Sequence, residues 1–111
     1  MDVTRFVILE HDHPVLHWDL MLEQPECLWT WRLSEPPEHS QTTNAKRIAD
    51  HRKAYLEYEG PISGNRGSVT RWDAGTYAIT QGNPLTIVLN GDRVSGQLRI
   101  ELDEASFERS A

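Results

Sequence analysis

The sequence predicts a small antiparallel β-barrel, mainly all-β, with one short helix or helical turn. Three observations predict it. Short segments rich in β-branched and aromatic residues recur along the chain, Gly, Pro and Asn punctuate them at regular intervals, and no stretch carries a long amphipathic helical period. The 111 residues read as a single domain, 1–111, able to bury one modest core.

The elements follow in order. Arg5–His11 (RFVILEH) is apolar and partly β-branched, which predicts a strand. Pro14 interrupts the pattern because proline cannot donate to a ladder. Val15–Glu23 alternates, with Leu16, Trp18, Leu20 and Leu22 on one face and His17, Asp19 and Met21 on the other. Gln24–Glu26 forms a turn and Cys27–Leu33 a third strand. Ser34–Asn44 contains two prolines and many small polar residues, so it reads as a loop, with His39 exposed in it. Ala45–Tyr58 admits a short helix or turn around Asp50–Leu56. Gly60–Gly67 is turn material. Ser68–Asp73 and Thr76–Thr80 read as strands either side of a tight turn at Ala74-Gly75. After a turn at Gly82-Asn83-Pro84 and a strand at Leu85–Leu89, Asn90-Gly91 predicts a type I′ hairpin turn, whose central positions need positive φ. Arg93–Leu102 is the last predicted strand, and residues 103–111 read as a frayed tail.

Charge narrows the function. Seventeen acidic against eleven basic side chains leave a net charge of −6. That excludes tight coating of long duplex, which needs a basic face to displace counterions. A nucleic-acid partner would be met at a short end or through a few phosphates. No apolar run approaches the roughly 18 residues of a membrane span, and MDVTRFVILEHD lacks the basic leader and apolar core of a signal peptide. Cys27 is the sole cysteine, so no internal disulfide forms, and a reducing cytoplasm is expected.

The segment from Glu10 to Asp19 carries the chemistry. His17 and Asp19 are two apart on a strand, so both leave the same face. An ionised carboxylate there needs pairing or a metal. His11 ends the preceding strand, and a short hairpin brings it opposite the His17 region. Two imidazoles and a carboxylate can take three positions on a divalent ion and leave others open for water or a phosphate oxygen. Manganese, zinc and iron(II) all accept that donor set. An H-x-D triplet alone is more often incidental. His13 falls in the turn.

Around these residues the sequence resembles the phosphoesterase domain of bacterial DNA ligase D. The likeness runs through Phe6-Val7-Ile8-Leu9-Glu10-His11, Leu16-His17-Trp18-Asp19 and Leu28-Trp29-Thr30-Trp31. It continues through Lys46-Arg47, Asp50-His51, Tyr55 to Gly60, Gly67-Ser68-Val69 and Trp72 to Tyr77. The resemblance implies a small β-barrel that trims nucleic-acid 3′ ends with manganese, removing a terminal ribonucleoside and then a 3′-phosphate. It implies His11, His17 and Asp19 as metal ligands. His51 would contact the scissile phosphate or serve as general acid, and Tyr55 would bond a phosphate oxygen or position His51. Arg47 and Arg52 are the implied phosphate contacts, and end-joining ligase or polymerase proteins the implied partners. Without the resemblance, His51 reads as a partly exposed residue at a helix start and Tyr55 as core.

Two departures bear on activity. Met21 stands where the family carries an arginine, and Ser34-Glu35-Pro36 stands where it carries a lysine. Arg32, Arg52, Arg66 and Arg71 are open to replace the missing contact, and nothing in the sequence chooses among them. The alternative reading is therefore a catalytically impaired metal-binding barrel that recognises a nucleic-acid end or a protein partner.

Overall fold

The computed structural model describes residues 4–38 and 41–110. His39, read above as exposed, lies outside them, as do the first three residues of the segment read for a leader. Among the described residues nine strands run in chain order: β1 (Arg5–His11), β2 (His17–Glu23), β3 (Leu28–Leu33), β4 (Thr42–His51), β5 (Gly60–Pro61), β6 (Ser68–Gly82), β7 (Leu85–Gly91), β8 (Ser95–Glu101) and β9 (Glu104–Arg109). One 3₁₀ turn, Lys53–Leu56, follows β4, within the stretch expected to be helical. The ladder order is β1-β2-β3-β4-β9-β8-β7-β6, and pairing of β6 back onto β1 closes an eight-stranded antiparallel barrel. Closure leaves no long edge to protect. The two-residue β5 lies beside the start of β6. Among the described residues no helix is long and apolar enough to cross a membrane.

The barrel has two hydrophobic clusters. Its interior holds Phe6, Ile8, Leu20, Leu22, Trp31, Leu33, Ile87, Leu89 and Leu98. A second cluster covers the outer face of β1, β2 and β3. There Val7, Leu9, Met21 and Leu28 pack under Leu56 of the 3₁₀ turn and against Val69, Tyr55, Tyr58 and Ile62. This explains the continuous apolar run of β1. Residues of both parities are buried, as in a strand covered on both faces. Each fully buried leucine contributes about 2 kcal/mol.

Several expected boundaries change. The stretch read as loop and then as ambiguous contains β4, which alternates with only Thr43 and Ala45 fully buried. Its polar sequence reflects one solvated face. Ala74-Gly75 is not a turn, because β6 runs through it. Gly75 is there for close approach, since a Cβ would lie 2.0 Å from the Asn90 carbonyl oxygen. The β7–β8 turn falls after Asn90, closed by the Gly91 N–H donating to the Val94 carbonyl at 2.8 Å. It is held by the buried Asp73 carboxylate, which accepts the N–H groups of Asp92, Arg93 and Val94 at 2.9, 3.0 and 2.9 Å. A side chain from β6 thus organises this turn, and no type I′ pair is needed. The expected tail at 103–111 is mostly β9, which pairs with β8 and with β4 to complete the barrel. Ala105, 1% exposed, is its inward anchor, too small to stand out in the sequence.

Candidate metal centre

The β1–β2 hairpin places the three candidate ligands. His11 and His17 are direct cross-strand partners, and Asp19 follows two residues on, opposite Leu9. All three leave the outer wall, since Ile8 and Leu20, of the other parity, point into the barrel. One ligand atom from each residue lies within 4.8 Å of the others. His17 and Asp19 are each 3% exposed.

Backbone carbonyls decide which ring nitrogens face the cluster. The His17 Nδ1–H donates to the Val15 carbonyl at 2.8 Å, so its Nε2 carries the lone pair. His11 is held the other way round. Its Nε2–H donates to the Arg66 carbonyl at 2.8 Å and leaves Nδ1 for the cluster. Asp19 Oδ2 is 3.3 Å from His17 Nε2 and 3.9 Å from His11 Nδ1. With the lone pair on His17 Nε2, these contacts bring acceptors face to face, and His17 Nε2 and Asp19 Oδ1 are both buried with no hydrogen-bond partner. Orphaned buried polar atoms are costly, and a shared cation relieves that cost. A donor set with carbonyl-oriented histidines fits a divalent ion.

The hairpin loop is tied to the start of β6. The Asp12 carboxylate accepts the Ser68 N–H at 2.8 Å, and the Asp12 N–H donates to the Ser68 carbonyl at 3.4 Å. Gly67, at φ +76°, makes room for this: a Cβ would lie 2.2 Å from Asp12 Oδ1.

A cleft of about 320 Å³ opens beside the cluster, lined by His11, Asp19, Arg32, His51, Tyr55 and Arg66 among others. His51 ends β4 opposite Leu28 and donates Nδ1–H to the Ala49 carbonyl at 3.0 Å, which leaves Nε2 for a ligand. Tyr55 stands edge-on to His51 with ring centroids 5.5 Å apart, and Tyr58 backs Tyr55 at 5.8 Å. The Tyr58 hydroxyl donates to the Pro61 carbonyl and ties this aromatic stack to β5.

The two arginines expected at phosphate are not brought there. Arg47 pairs across to Trp31, on the opposite face of β4, and its guanidinium lies 5.0 Å from that ring centroid. It also bonds Asp50 at 2.9 Å, and this contact holds the Asp50 carboxyl below its ordinary range. Arg52 lines a neighbouring depression with Tyr55, Tyr58 and Ile62. Arg32 and Arg66 reach the cleft, Arg32 through its pairing with Asp19 and Arg66 from the turn that precedes β6. The orienting carbonyls of Val15, Ala49 and Arg66 have no signature in the sequence, because every residue carries one. Cys27 is half-buried and 3.5 Å from Asp50. Burial and then that carboxylate push its thiol upward.

The chain is similar to known proteins over most of its length. The family model described as the DNA Ligase D 3′-phosphoesterase domain matches residues 9–107. The multifunctional non-homologous end joining DNA repair protein LigD of Mycobacterium tuberculosis (strain CDC 1551 / Oshkosh) is 33% identical over 107 residues, 86% of this chain and 14% of the relative. The LigD proteins of Mycolicibacterium smegmatis and Pseudomonas aeruginosa are 30% and 27% identical over 84% and 86% of the chain. The chain spans 13–15% of the length of these relatives. A match across residues 9–107, nearly the whole barrel, places this chain in the family of the DNA ligase D 3′-phosphoesterase domain.

Proposed function

We propose that the chain is a divalent-metal-dependent phosphoesterase that trims nucleic-acid 3′ ends, removing a terminal ribonucleoside or a 3′-phosphate. The observation that carries this reading is the meeting of His11, His17 and Asp19, two of their atoms buried without a hydrogen-bond partner, at a cleft that also holds His51. Those three residues would hold the ion, manganese by family and zinc or iron(II) by donor chemistry. The ion would supply Lewis-acid polarisation of the phosphoryl group.

The remaining work falls to the chain's own residues. The Val15 and Arg66 carbonyls keep the lone pairs of His17 Nε2 and His11 Nδ1 turned to the cluster. In the reaction a water oxygen bonds to phosphorus and the water proton passes to solvent, while the bond to the leaving oxygen breaks: the 5′ oxygen of a terminal ribonucleoside, which leaves a 3′-phosphate on the strand, or the strand's own 3′ oxygen when that phosphate is removed. His51 would donate a proton from Nε2 to the leaving oxygen, while the Ala49 carbonyl keeps the ring in place. Tyr55 braces the imidazole edge-on and would offer its hydroxyl to a phosphate oxygen. The partners are end-joining ligase and polymerase proteins, and the setting is the reducing cytoplasm, where Cys27 stays a thiol.

The test is incubation with manganese and a primer-template ending in one 3′ ribonucleotide or a 3′-phosphate, beside a His17→Ala control. Trimming by the native chain that falls at least about a hundredfold in the variant is expected. Product that survives the substitution points to a contaminant. Metal loading without product favours the second reading, a metal-binding end- or protein-recognition module. Met21 buried at the cleft and the net charge of −6 speak for that alternative.

A further inference from the structure

We propose that Arg32 and Lys46 form a phosphate-binding row leading away from the metal cluster, with Arg32 on the terminal phosphate and Lys46 on the next phosphate of a polynucleotide strand. The proposal rests on the phosphoesterase reading and adds the path of the substrate to it.

The strand register carries it. Asp19 pairs with Arg32 across β2 and β3, and Arg32 pairs with Lys46 across β3 and β4. Cross-strand partners share a face, so the three side chains stand in one line on the outer wall. Neighbouring strands lie about 4.8 Å apart. The cations therefore stand one and two strand spacings from Asp19, a separation that long side chains can adjust to reach successive phosphates of one strand. A lone phosphate would need only the first of them.

Arg32 suits the terminal position. Its Nε is 4.0 Å from Asp19 Oδ1, the carboxylate oxygen without a hydrogen-bond partner, while Oδ2 faces the histidines. The side chain is 45% exposed and lines the cleft, so the weak ion pair orients it and leaves its outer donors accessible. A guanidinium offers two parallel N–H donors to two oxygens of one phosphate. Other cations are engaged elsewhere. Arg66 bonds Ser63 through its carbonyl and hydroxyl oxygens, and Arg71 reaches the Leu56 carbonyl. Lys46 is exposed on the solvated face of β4, where a point charge can follow a backbone of any sequence.

Binding of 3′-phosphorylated and 3′-hydroxyl single-stranded oligonucleotides to the manganese-loaded full chain, over a series of salt concentrations, tests this. Arg32→Ala should weaken the phosphorylated ligand roughly ten- to hundredfold and spare the hydroxyl one. Arg32→Lys should fall between. Lys46→Ala should weaken both ligands alike and lower the salt slope by about 1. Manganese alone should bind Arg32→Ala at least as tightly as the native chain. The proposal is overturned if Arg32→Ala keeps the native preference for the phosphorylated end or loses manganese. It also fails if Lys46→Ala binds like the native chain, since the ligand would then be a phosphate group without its strand. A native chain with the 3′-phosphate preference and no turnover removes the hydrolase reading and leaves this row standing. Turnover without that preference does the reverse.

Discussion

Two walls of the same barrel are built on different terms. β8 alternates strictly between exposed and buried, so its outer face meets water and its inner face supplies the core. In β2, by contrast, every residue from Asp19 to Leu22 is buried, because the segment after β4 folds back over the outside. The wall of β8 tolerates polar side chains outward at no cost. The covered wall must satisfy whatever polar group it buries, and it buries a carboxylate and an imidazole. The difference teaches where chemistry can sit in a barrel this small: outside it, where a second layer shuts out water on one side and leaves a cleft on the other.

The largest expected effect breaks the covered wall. Manganese at about 100 times its dissociation constant should stabilise the native chain by about 2.7 kcal/mol, raising Tm on the order of 10 °C. His17→Ala should abolish that rise in a thermal melt. The plain wall supplies the counterpart. Asp73→Ala leaves three N–H groups of the β7–β8 turn without their acceptor and should cost about 2–3 kcal/mol in urea unfolding. The metal-induced rise should persist in it. If Asp73→Ala also erased the rise, the two walls would be one cooperative site and the contrast would fall.

Smaller changes sharpen the picture. Gly67→Ala crowds Asp12 and strains a backbone at positive φ. Loosening the loop behind His11 and His17 should weaken manganese about tenfold, read by isothermal titration. The smallest effect concerns Glu23. Burial pushes its carboxyl up, but the Arg5 N–H and the Lys53 ammonium outweigh it, and the group titrates below its ordinary value. A depressed carboxyl stabilises the fold above the unfolded-state value and loses that contribution as pH falls through the folded one. Glu23→Gln should therefore shallow the acid limb of stability against pH by lowering stability slightly at neutral pH, with the two proteins converging as pH falls.

The fold was legible where side chains report burial. The apolar runs of β1 to β3 and of β7 marked their strands within a residue or two, and Asn83-Pro84 its turn. β4 and β9 were not legible, because each buries one face through small residues such as Ala45 and Ala105. The candidate site divides the same way. His17 and Asp19 share a face by spacing alone, whereas Arg47 stood out by family likeness and turned to the Trp31 side of β4. Arg32 was one cation among several until its pairing with Asp19 was known.

By itself the sequence determined the β-barrel class, the hairpin bearing two imidazoles and a carboxylate, and the family to which the chain belongs. Periodicity and residue type are local, and these properties depend on little else. Only the tertiary structure decided which ring nitrogen each histidine offers, which arginine stands beside the carboxylate, and that the cluster lies outside the barrel. Those depend on strand register and backbone carbonyls brought together from distant parts of the chain, which no stretch of sequence specifies alone.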